Sequence, residues 1–109
     1  MNRIYGIGVN QGCVYGRCRI INSVRDIDDM EYNDILVLPN SDSVYALGVL
    51  QAGGLVCEEG GKLSHICIVA MEMGIPCITQ VKNAREILKN ETYIAVDAQK
   101  GEILYGKDR

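Results

Sequence analysis

One segment, residues 60–76 (GGKLSHICIVAMEMGIP), restricts the folds open to this chain more than any other. After Ser64, apolar residues recur at the spacing of one face of an α-helix, namely Ile66, Val69, Ala70 and Met73. Ser64 is a typical N-cap residue, and Gly74 is typical of the left-handed residue that ends a helix, with Pro76 just beyond it. The segment therefore predicts a glycine turn followed by a short helix with both ends defined.

The protein's single histidine, His65, falls in the first turn of this predicted helix. A helix N-terminus carries unpaired N–H groups and a partial positive charge, which together favour a bound phosphate. A neutral imidazole is a competent nucleophile when one ring nitrogen keeps its proton and the other presents its lone pair. The pattern thus indicates a histidine that is itself phosphorylated, while a surface or core histidine with a purely structural role is the alternative.

Four neighbouring residues are candidates for supporting a phosphoryl group at His65. Gly60 and Gly61 would let the backbone and a bulky donor approach closely. Ser64 could donate a hydrogen bond to the phosphate, although serine intrinsically suits the N-cap and we favour that role. Lys62 could screen the phosphoryl charge, and the alternative is a lysine that simply lies in solvent.

Length and composition restrict the remaining function classes. A chain of 109 residues predicts one domain, and a composition without Phe or Trp requires an aliphatic core. The formal net charge of -3 predicts neither a nucleic-acid partner nor a membrane surface. The first residues lack the continuous apolar run of a signal peptide, so we expect a cytoplasmic protein.

The chain has five cysteines, at positions 13, 18, 57, 67 and 77. Their number is odd, no C-x-x-C pair occurs, and they lie within apolar runs. We therefore expect reduced, buried thiols and no zinc or other metal site.

Hydrophobic patterns predict short strands and helices in mixed order, which supports an α/β domain with helices on a sheet or sandwich. Strands are predicted at 1–8, 13–21, 34–38, 55–57, 75–81, 93–97 and 102–105, the last two as a hairpin. Besides the helix after Ser64, helices are predicted at 44–51 and 83–88, the latter with a capping box from Asn83 to Glu86. Residues 22–33 are an acidic connector. Arg17 and Arg19 are predicted on a solvated strand face, with phosphate contacts as the alternative.

The order Gly60-Gly61, three residues, His65, a short helix and Gly74-Ile75-Pro76 resembles the phosphohistidine motif of the phosphoenolpyruvate-utilising enzymes. That family includes pyruvate phosphate dikinase, phosphoenolpyruvate synthase, the first enzyme of the sugar phosphotransferase system and the rifampicin phosphotransferases. The opening glycines, the 33–39 and 52–56 segments and the closing 95–103 segment resemble the same family's mobile domain in order and spacing. The resemblance covers essentially residues 1–109 and implies one compact domain with the swivelling β/β/α fold.

The resemblance also implies a mechanism, in which His65 is a phosphocarrier that swings between two active sites. It would accept a phosphoryl group from ATP or phosphoenolpyruvate and donate it elsewhere, as one part of a phosphotransferase rather than a complete enzyme. No cofactor is then expected on this domain, because Mg²⁺ and ATP or phosphoenolpyruvate would bind to partner domains of the ATP-grasp and phosphoenolpyruvate- or acceptor-binding kinds.

The sequence departs from the family's motif at four positions around the histidine. Leu63 replaces the threonine that is phosphorylated in pyruvate phosphate dikinase, Met71 replaces a common arginine, and Ile66 and Cys67 replace small residues. Two alternatives to the carrier therefore stay open: a degenerate module that only binds a partner, and a related swivelling domain that forms a lid in an enzyme of unrelated chemistry.

Overall fold

The computed structural model describes residues 1–106, and within them eight strands and three α-helices form one domain. The strands are β1 (Asn2–Tyr5), β2 (Ile7–Gly8), β3 (Cys13–Ile20), β4 (Ile35–Leu38), β5 (Gly54–Cys57), β6 (Cys77–Thr79), β7 (Tyr93–Asp97) and β8 (Glu102–Tyr105). The α-helices are α1 (Ala46–Val49), α2 (His65–Met73) and α3 (Ala84–Ile87), and 3-10 helices span Val24–Asp29 and Ser43–Tyr45. None of these helices reaches the length needed to cross a membrane.

The strands are hydrogen-bonded in the order β1-β8-β7-β3-β4-β5-β6-β2. Four of them, β3 to β6, are parallel neighbours, and their partners at both flanks are antiparallel. The β7-β8 hairpin has the predicted form, with Val96 opposite Ile103. Because parallel strands all end at the same edge, the loops after β4, β5 and β6 meet there.

Alternate residues of β4 enter two different clusters of buried side chains, which shows that the sheet curls into two layers. Ile35 and Val37 pack with residues of β7 and β8 such as Ile94. Leu36 and Leu38 pack with residues of α1 and α2. One cluster thus fills the space between two parts of the sheet and the other lies between sheet and helices. The three layers, sheet on sheet on helices, confirm the predicted β/β/α fold.

Several predicted elements differ from the structure in type or length. The 22–33 connector contains the 3-10 helix Val24–Asp29, because the Asp26 carboxylate accepts hydrogen bonds from the N–H groups of Asn22 and Ser23 at 2.8 and 3.1 Å. The predicted 44–51 helix is a 3-10 turn followed by the four-residue α1. The predicted 1–8 strand is divided into β1, which pairs with β8, and β2, which pairs with β6.

The prediction of a solvated face for Arg17 and Arg19 is wrong. Arg19 is only 5% exposed, and its Nε lies 3.2 Å from the carboxylate of Asp34, itself 3% exposed. Arg17 is half-buried and its Nε lies 3.3 Å from the other oxygen of Asp34. Both guanidinium groups are therefore engaged in ion pairs with the buried carboxylate of Asp34, just before β4. The alternative of phosphate contacts finds no support in this geometry.

Candidate functional site

Three loops lie side by side where β4, β5 and β6 end, and the middle one carries the predicted site. The carbonyl oxygen of Gly60 accepts a hydrogen bond from Thr79 Oγ1 at 2.8 Å and one from Gln80 Nε2 at 3.3 Å. On its other side Gly60 lies against Ser41, in the loop that follows β4. Ligands commonly bind at the carboxyl ends of parallel strands, and this loop is held there by both neighbours.

The two glycines of the motif have different surroundings. Gly60 has a φ of +128°, and a Cβ on it would overlap the side chain of Ser41. Gly61 does not have a positive φ, and no heavy atom lies within 4 Å of the place where its Cβ would be. Gly60 is therefore required by the fold of the loop, whereas the absence of a side chain at Gly61 leaves open space on the loop surface.

Ser64 occupies the N-cap position of α2, but it does not cap the helix with its side chain, so that part of the prediction is wrong. Its hydroxyl donates to the carbonyl oxygen of Gly61 at 2.8 Å, and its backbone N–H donates to the same oxygen at 3.1 Å. Serine closes the glycine turn instead. The first intrahelical bond runs from Ile68 N–H to the Ser64 carbonyl, so the N–H groups of the preceding first-turn residues are left for water or an anion.

His65 is the first residue of α2, and its side chain is exposed. Within residues 1–106 no side-chain hydrogen bond or ion pair engages the ring. The helix ends as predicted at Gly74, which is left-handed with a φ of +71°. Its buried face is formed by Ile66, Cys67 and Ala70, whereas the predicted Met73 is exposed. The imidazole is accordingly accessible from solvent beside an open helix N-terminus.

Lys62 is the cation nearest to His65 along the chain, and its side chain is exposed. In the described part of the chain it makes no ion pair. The next arginine along the chain, Arg85, is engaged: its Nε lies 3.0 Å from the carboxylate of Glu58, and its backbone N–H donates to the same carboxylate at 2.7 Å. Glu58 thus caps α3 in place of the predicted capping box at Asn83, which has a left-handed backbone and no side-chain cap.

Cys57, Cys67 and Cys77, on β5, α2 and β6, belong to one cluster of buried side chains. All three residues are fully buried, as is Cys18, but Cys13 is exposed, so the expectation of buried thiols is wrong at that position. All five cysteines are free thiols. No group of three or more potential ligands in residues 1–106 has a geometry suited to a metal ion. Sequence reasoning missed this cluster, because each cysteine lies on a different element.

Exposed aliphatic side chains occur on α2, just before it, and on the helical segments that pack against it. Leu63 and Leu47 are 81% and 72% exposed, and Val44 and Ile68 are 51% and 37% exposed. These four residues, here called the apolar rim, lie just before α2, on α2, or on the helical segments that pack against α2. Contiguous apolar patches typically mark surfaces that meet another protein or domain, so these four side chains are candidates for such a contact.

A cavity of about 780 Å³ lies elsewhere, on the outer face of β3, β7 and β8. Tyr15 and Tyr93 line it, with ring centroids 5.4 Å apart. Their strand neighbours Ile94 and Val96 point the other way, into the cluster between the layers. This cavity is therefore separated from His65 by the thickness of the domain.

Comparison with known proteins places the chain in a family. Residues 30–101 match the model of the PEP-utilising enzyme mobile domain, a range that includes the whole 60–76 motif. The chain is 38% identical over 103 residues to the phosphoenolpyruvate synthase of Pyrococcus furiosus, a match that covers 93% of this chain and 12% of that protein. The chain spans between 11% and 17% of the length of such curated relatives.

Solved structures share the fold at lower identity. Aconitase X of Thermococcus kodakaraensis superposes with a TM-score of 0.74 at 17% identity, covering 98% of this chain and 100% of that one. A solution structure of the Enzyme I protein nEIt gives a TM-score of 0.64 at 20% identity, covering 76% of this chain and 34% of that one. At these identities the likeness concerns the fold alone.

Proposed function

We propose that this chain, which belongs to the mobile-domain family of PEP-utilising enzymes, is a phosphocarrier. Its His65 accepts a phosphoryl group from one partner and passes it on to another. The observation that carries the proposal is the exposed imidazole at the open N-terminus of α2. A nucleophile that must meet two partners in turn has to be accessible, and its phosphorylated form needs a site that favours negative charge.

Phosphoryl transfer requires little from this domain beyond a correctly oriented imidazole at His65. A ring nitrogen of neutral His65 attacks phosphorus through its lone pair, a P–N bond forms, and the bond from phosphorus to the donor's leaving oxygen breaks. The other ring nitrogen keeps its proton. Phosphoryl transfer depends mainly on in-line positioning and charge neutralisation. Mg²⁺ and the donor, ATP or phosphoenolpyruvate, bind to the partner domains in this scheme.

Residues of the glycine turn support the phosphoryl group in different ways. The open space at Gly61 admits the donor, and Lys62 contributes a flexible positive charge. The Ser64 hydroxyl proton is already donated to the Gly61 carbonyl. Ser64 therefore supports the site by fixing the turn, and the backbone N–H groups of the first helical turn are the donors that remain for the phosphate.

The partners in this proposal are a nucleotide-binding ATP-grasp domain and a phosphoenolpyruvate- or acceptor-binding domain, in the same or another chain. Two observations support them: the chain corresponds to a small part of its relatives' length, and exposed apolar side chains lie on α2 and directly before it, next to His65 in the sequence. Leu63, where pyruvate phosphate dikinase has a threonine, is the most exposed residue of the apolar rim. Since ATP and phosphoenolpyruvate are metabolites of the cytoplasm, the proposal places the protein there.

The experiment combines the full chain with separately produced ATP-grasp and phosphoenolpyruvate-binding domains from the same source, with Mg²⁺ and either labelled ATP or labelled phosphoenolpyruvate. The expected result is an acid-labile, base-stable phosphate on His65, absent from His65→Gln. Glu72→Gln is the matched control, because Glu72 is an exposed residue of the same helix. It should be labelled like the wild type.

A second candidate is a swivelling domain without phosphoryl transfer, serving as a partner-binding or lid module. The fold likeness to aconitase X favours it as an alternative. The same experiment separates the two, because a lid module would bind the partner domains with equal affinity in the wild type and in His65→Gln and would never be labelled.

A further inference from the structure

The cavity on the outer face of β3, β7 and β8 has a floor that the strand register defines. Tyr15 pairs with Ala95, and Ala95 pairs with Leu104, so these three residues form one row across the sheet. Alternate residues of a strand point to the same face, which places Tyr93 beside this row. All four residues line the cavity, and the small side chain of Ala95 between two larger ones leaves the depression.

Aromatic side chains form one wall of the cavity. The rings of Tyr15 and Tyr93 have centroids 5.4 Å apart and planes inclined by 30°, and both residues are more than half exposed. Tyr105, the last residue of β8, also lines the cavity. Aromatic rings prefer offset-stacked or edge-to-face contacts with other rings. Three phenol rings beside an apolar floor therefore favour a flat aromatic ligand.

The segment between α3 and β7 forms a further wall, and hydrogen bonds hold it in place. The carbonyl oxygen of Lys89 accepts hydrogen bonds from the Thr92 hydroxyl at 2.7 Å and from the Thr92 N–H at 3.3 Å. The Glu91 N–H donates to the Cys18 carbonyl at 2.8 Å, and the Cys18 N–H donates to the Thr92 carbonyl at 2.7 Å, so β3 anchors the segment. A wall that is already formed lowers the entropic cost of binding a ligand.

Lys89 and Glu91 are the charged side chains among the described residues that line the cavity. The Glu91 carboxylate lies 3.4 Å from Nη1 of the buried Arg19 and is engaged there. Lys89 is exposed, and within residues 1–106 its side chain makes no hydrogen bond or ion pair. The charged group available to a ligand is therefore the ammonium of Lys89, which favours an anion.

The surroundings of the floor limit its extent and give a ligand its direction. The next row across the sheet contains Asp97 and Glu102. On the β1 side, Leu104 pairs with Arg3, whose Nε lies 3.0 Å from the Glu102 carboxylate. The apolar floor is thus bounded by charged residues. An anionic group is repelled by the two carboxylates and attracted at the other end of β7, where Lys89 lies.

We propose that this cavity is a binding site for a small aromatic carboxylate. The ring lies on the floor of Ala95 and Leu104 against the tyrosine wall, and the carboxylate pairs with Lys89. The volume of about 780 Å³ falls within the range of about 300–1,000 Å³ that is typical of small-molecule sites. The site lies across the domain from His65, and its occupation does not depend on the carrier function.

The experiment titrates the full chain with naphthoate, a planar aromatic carboxylate, and follows the backbone amide signals of isotope-labelled protein by NMR. Saturable shifts should map to β7, β8 and residues 89–92, with a dissociation constant of about 1 mM for a ligand of this size. Cyclohexanecarboxylate keeps the charge without the aromatic ring, and naphthalenemethanol keeps the rings without the charge. Each should bind about three- to five-fold more weakly than naphthoate.

Two variants test the floor and the cation separately. Ala95→Met fills the depression and should abolish the shifts. Lys89→Gln should weaken naphthoate binding about three- to five-fold and leave naphthalenemethanol binding unchanged. Lys100→Gln is the matched control, because Lys100 is an exposed lysine in the turn between β7 and β8, and it should bind both compounds like the wild type. Thermal unfolding establishes that each variant is folded, and the lysine pair decides the outcome if Ala95→Met is not.

Four results would overturn the proposal. They are the absence of saturable shifts, shifts that map away from the cavity, equal naphthoate affinity in folded Ala95→Met and the wild type, and equal losses of affinity in Lys89→Gln and Lys100→Gln. The last result would reduce the effect of Lys89 to the overall charge of the protein.

Discussion

The hydroxyl of Thr79, a fully buried residue at the end of β6, donates a hydrogen bond of 2.8 Å to the carbonyl oxygen of Gly60. The bond joins a neighbouring strand to the start of the turn that leads to His65. Gln80 Nε2 reaches the same oxygen from 3.3 Å. The position of the candidate nucleophile thus depends on a strand that lies well beyond it in the sequence.

We expect Thr79→Val to lower the rate of His65 phosphorylation several-fold and the free energy of unfolding by about 1 kcal/mol, the typical net contribution of one hydrogen bond. Valine keeps the shape of threonine but cannot donate to Gly60. The control is Thr92→Val, since Thr92 makes a similar 2.7 Å bond to the carbonyl of Lys89 at an exposed turn. Labelling rates and thermal unfolding of both variants test this. An equal loss of rate in the two would contradict the positioning role.

The two glycines of the turn should respond differently to alanine. Gly60→Ala places a Cβ against Ser41 on a backbone with a φ of +128°, so we expect a loss of about 1–3 kcal/mol in the free energy of unfolding. Gly61→Ala meets no atom within 4 Å and should leave stability nearly unchanged. If a donor approaches through that space, Gly61→Ala still slows phosphorylation. Urea unfolding and labelling separate the two effects, and full activity in Gly61→Ala would count against close approach.

The features of the site that the sequence predicted are those encoded locally. Helix α2 ends at Gly74 as expected, because a left-handed glycine before Pro76 is a signal contained in a few residues. The buried strand β4 and the β7-β8 hairpin were predictable for the same reason, since continuous apolar runs and short turns need no distant partner.

What the sequence did not predict depends on contacts that exist only once the chain is folded. Ser64 looks like a cap in sequence, but its hydroxyl donates to Gly61 because the glycine turn brings that carbonyl within 2.8 Å. Arg19 looks like a residue on an exposed strand face until Asp34 is brought beside it by the pairing of β3 and β4. Cys57, Cys67 and Cys77 enter one buried cluster only when β5, α2 and β6 pack together.

Removal of the charge on Asp34 should strongly destabilise the domain. Asp34→Asn removes the buried carboxylate from Arg19 and leaves it only the exposed Glu91, whose oxygen lies 3.4 Å from Arg19 Nη1. It also points an amide at donors, including the Glu31 N–H now bound at 2.8 Å. Breaking a buried ion pair in this way typically costs about 3–5 kcal/mol. Glu102→Gln is the control, because its partner Arg3, at 3.0 Å, is largely exposed and such pairs contribute about 1 kcal/mol or less. Denaturant unfolding measures the loss of unfolding free energy in both variants. Similar losses would show that the buried ion pairs of Asp34 contribute no more than an exposed pair.

Leu63→Asp should weaken docking to the partner domains while leaving the folding of this domain intact. Leu63 is 81% exposed and directly precedes the N-cap of α2, so a charged residue there should change the free energy of unfolding by about 0.5 kcal/mol or less. If the apolar rim contacts the partner domains, an aspartate would have to be desolvated on docking, and labelling of His65 should fall at low partner concentration and recover at high concentration. Tyr32→Asp is the matched control, because Tyr32 is 76% exposed but precedes β4, at the opposite edge of the sheet from His65. Labelling measured as a function of partner concentration tests this, and identical curves for the two variants would exclude Leu63 from the docking surface.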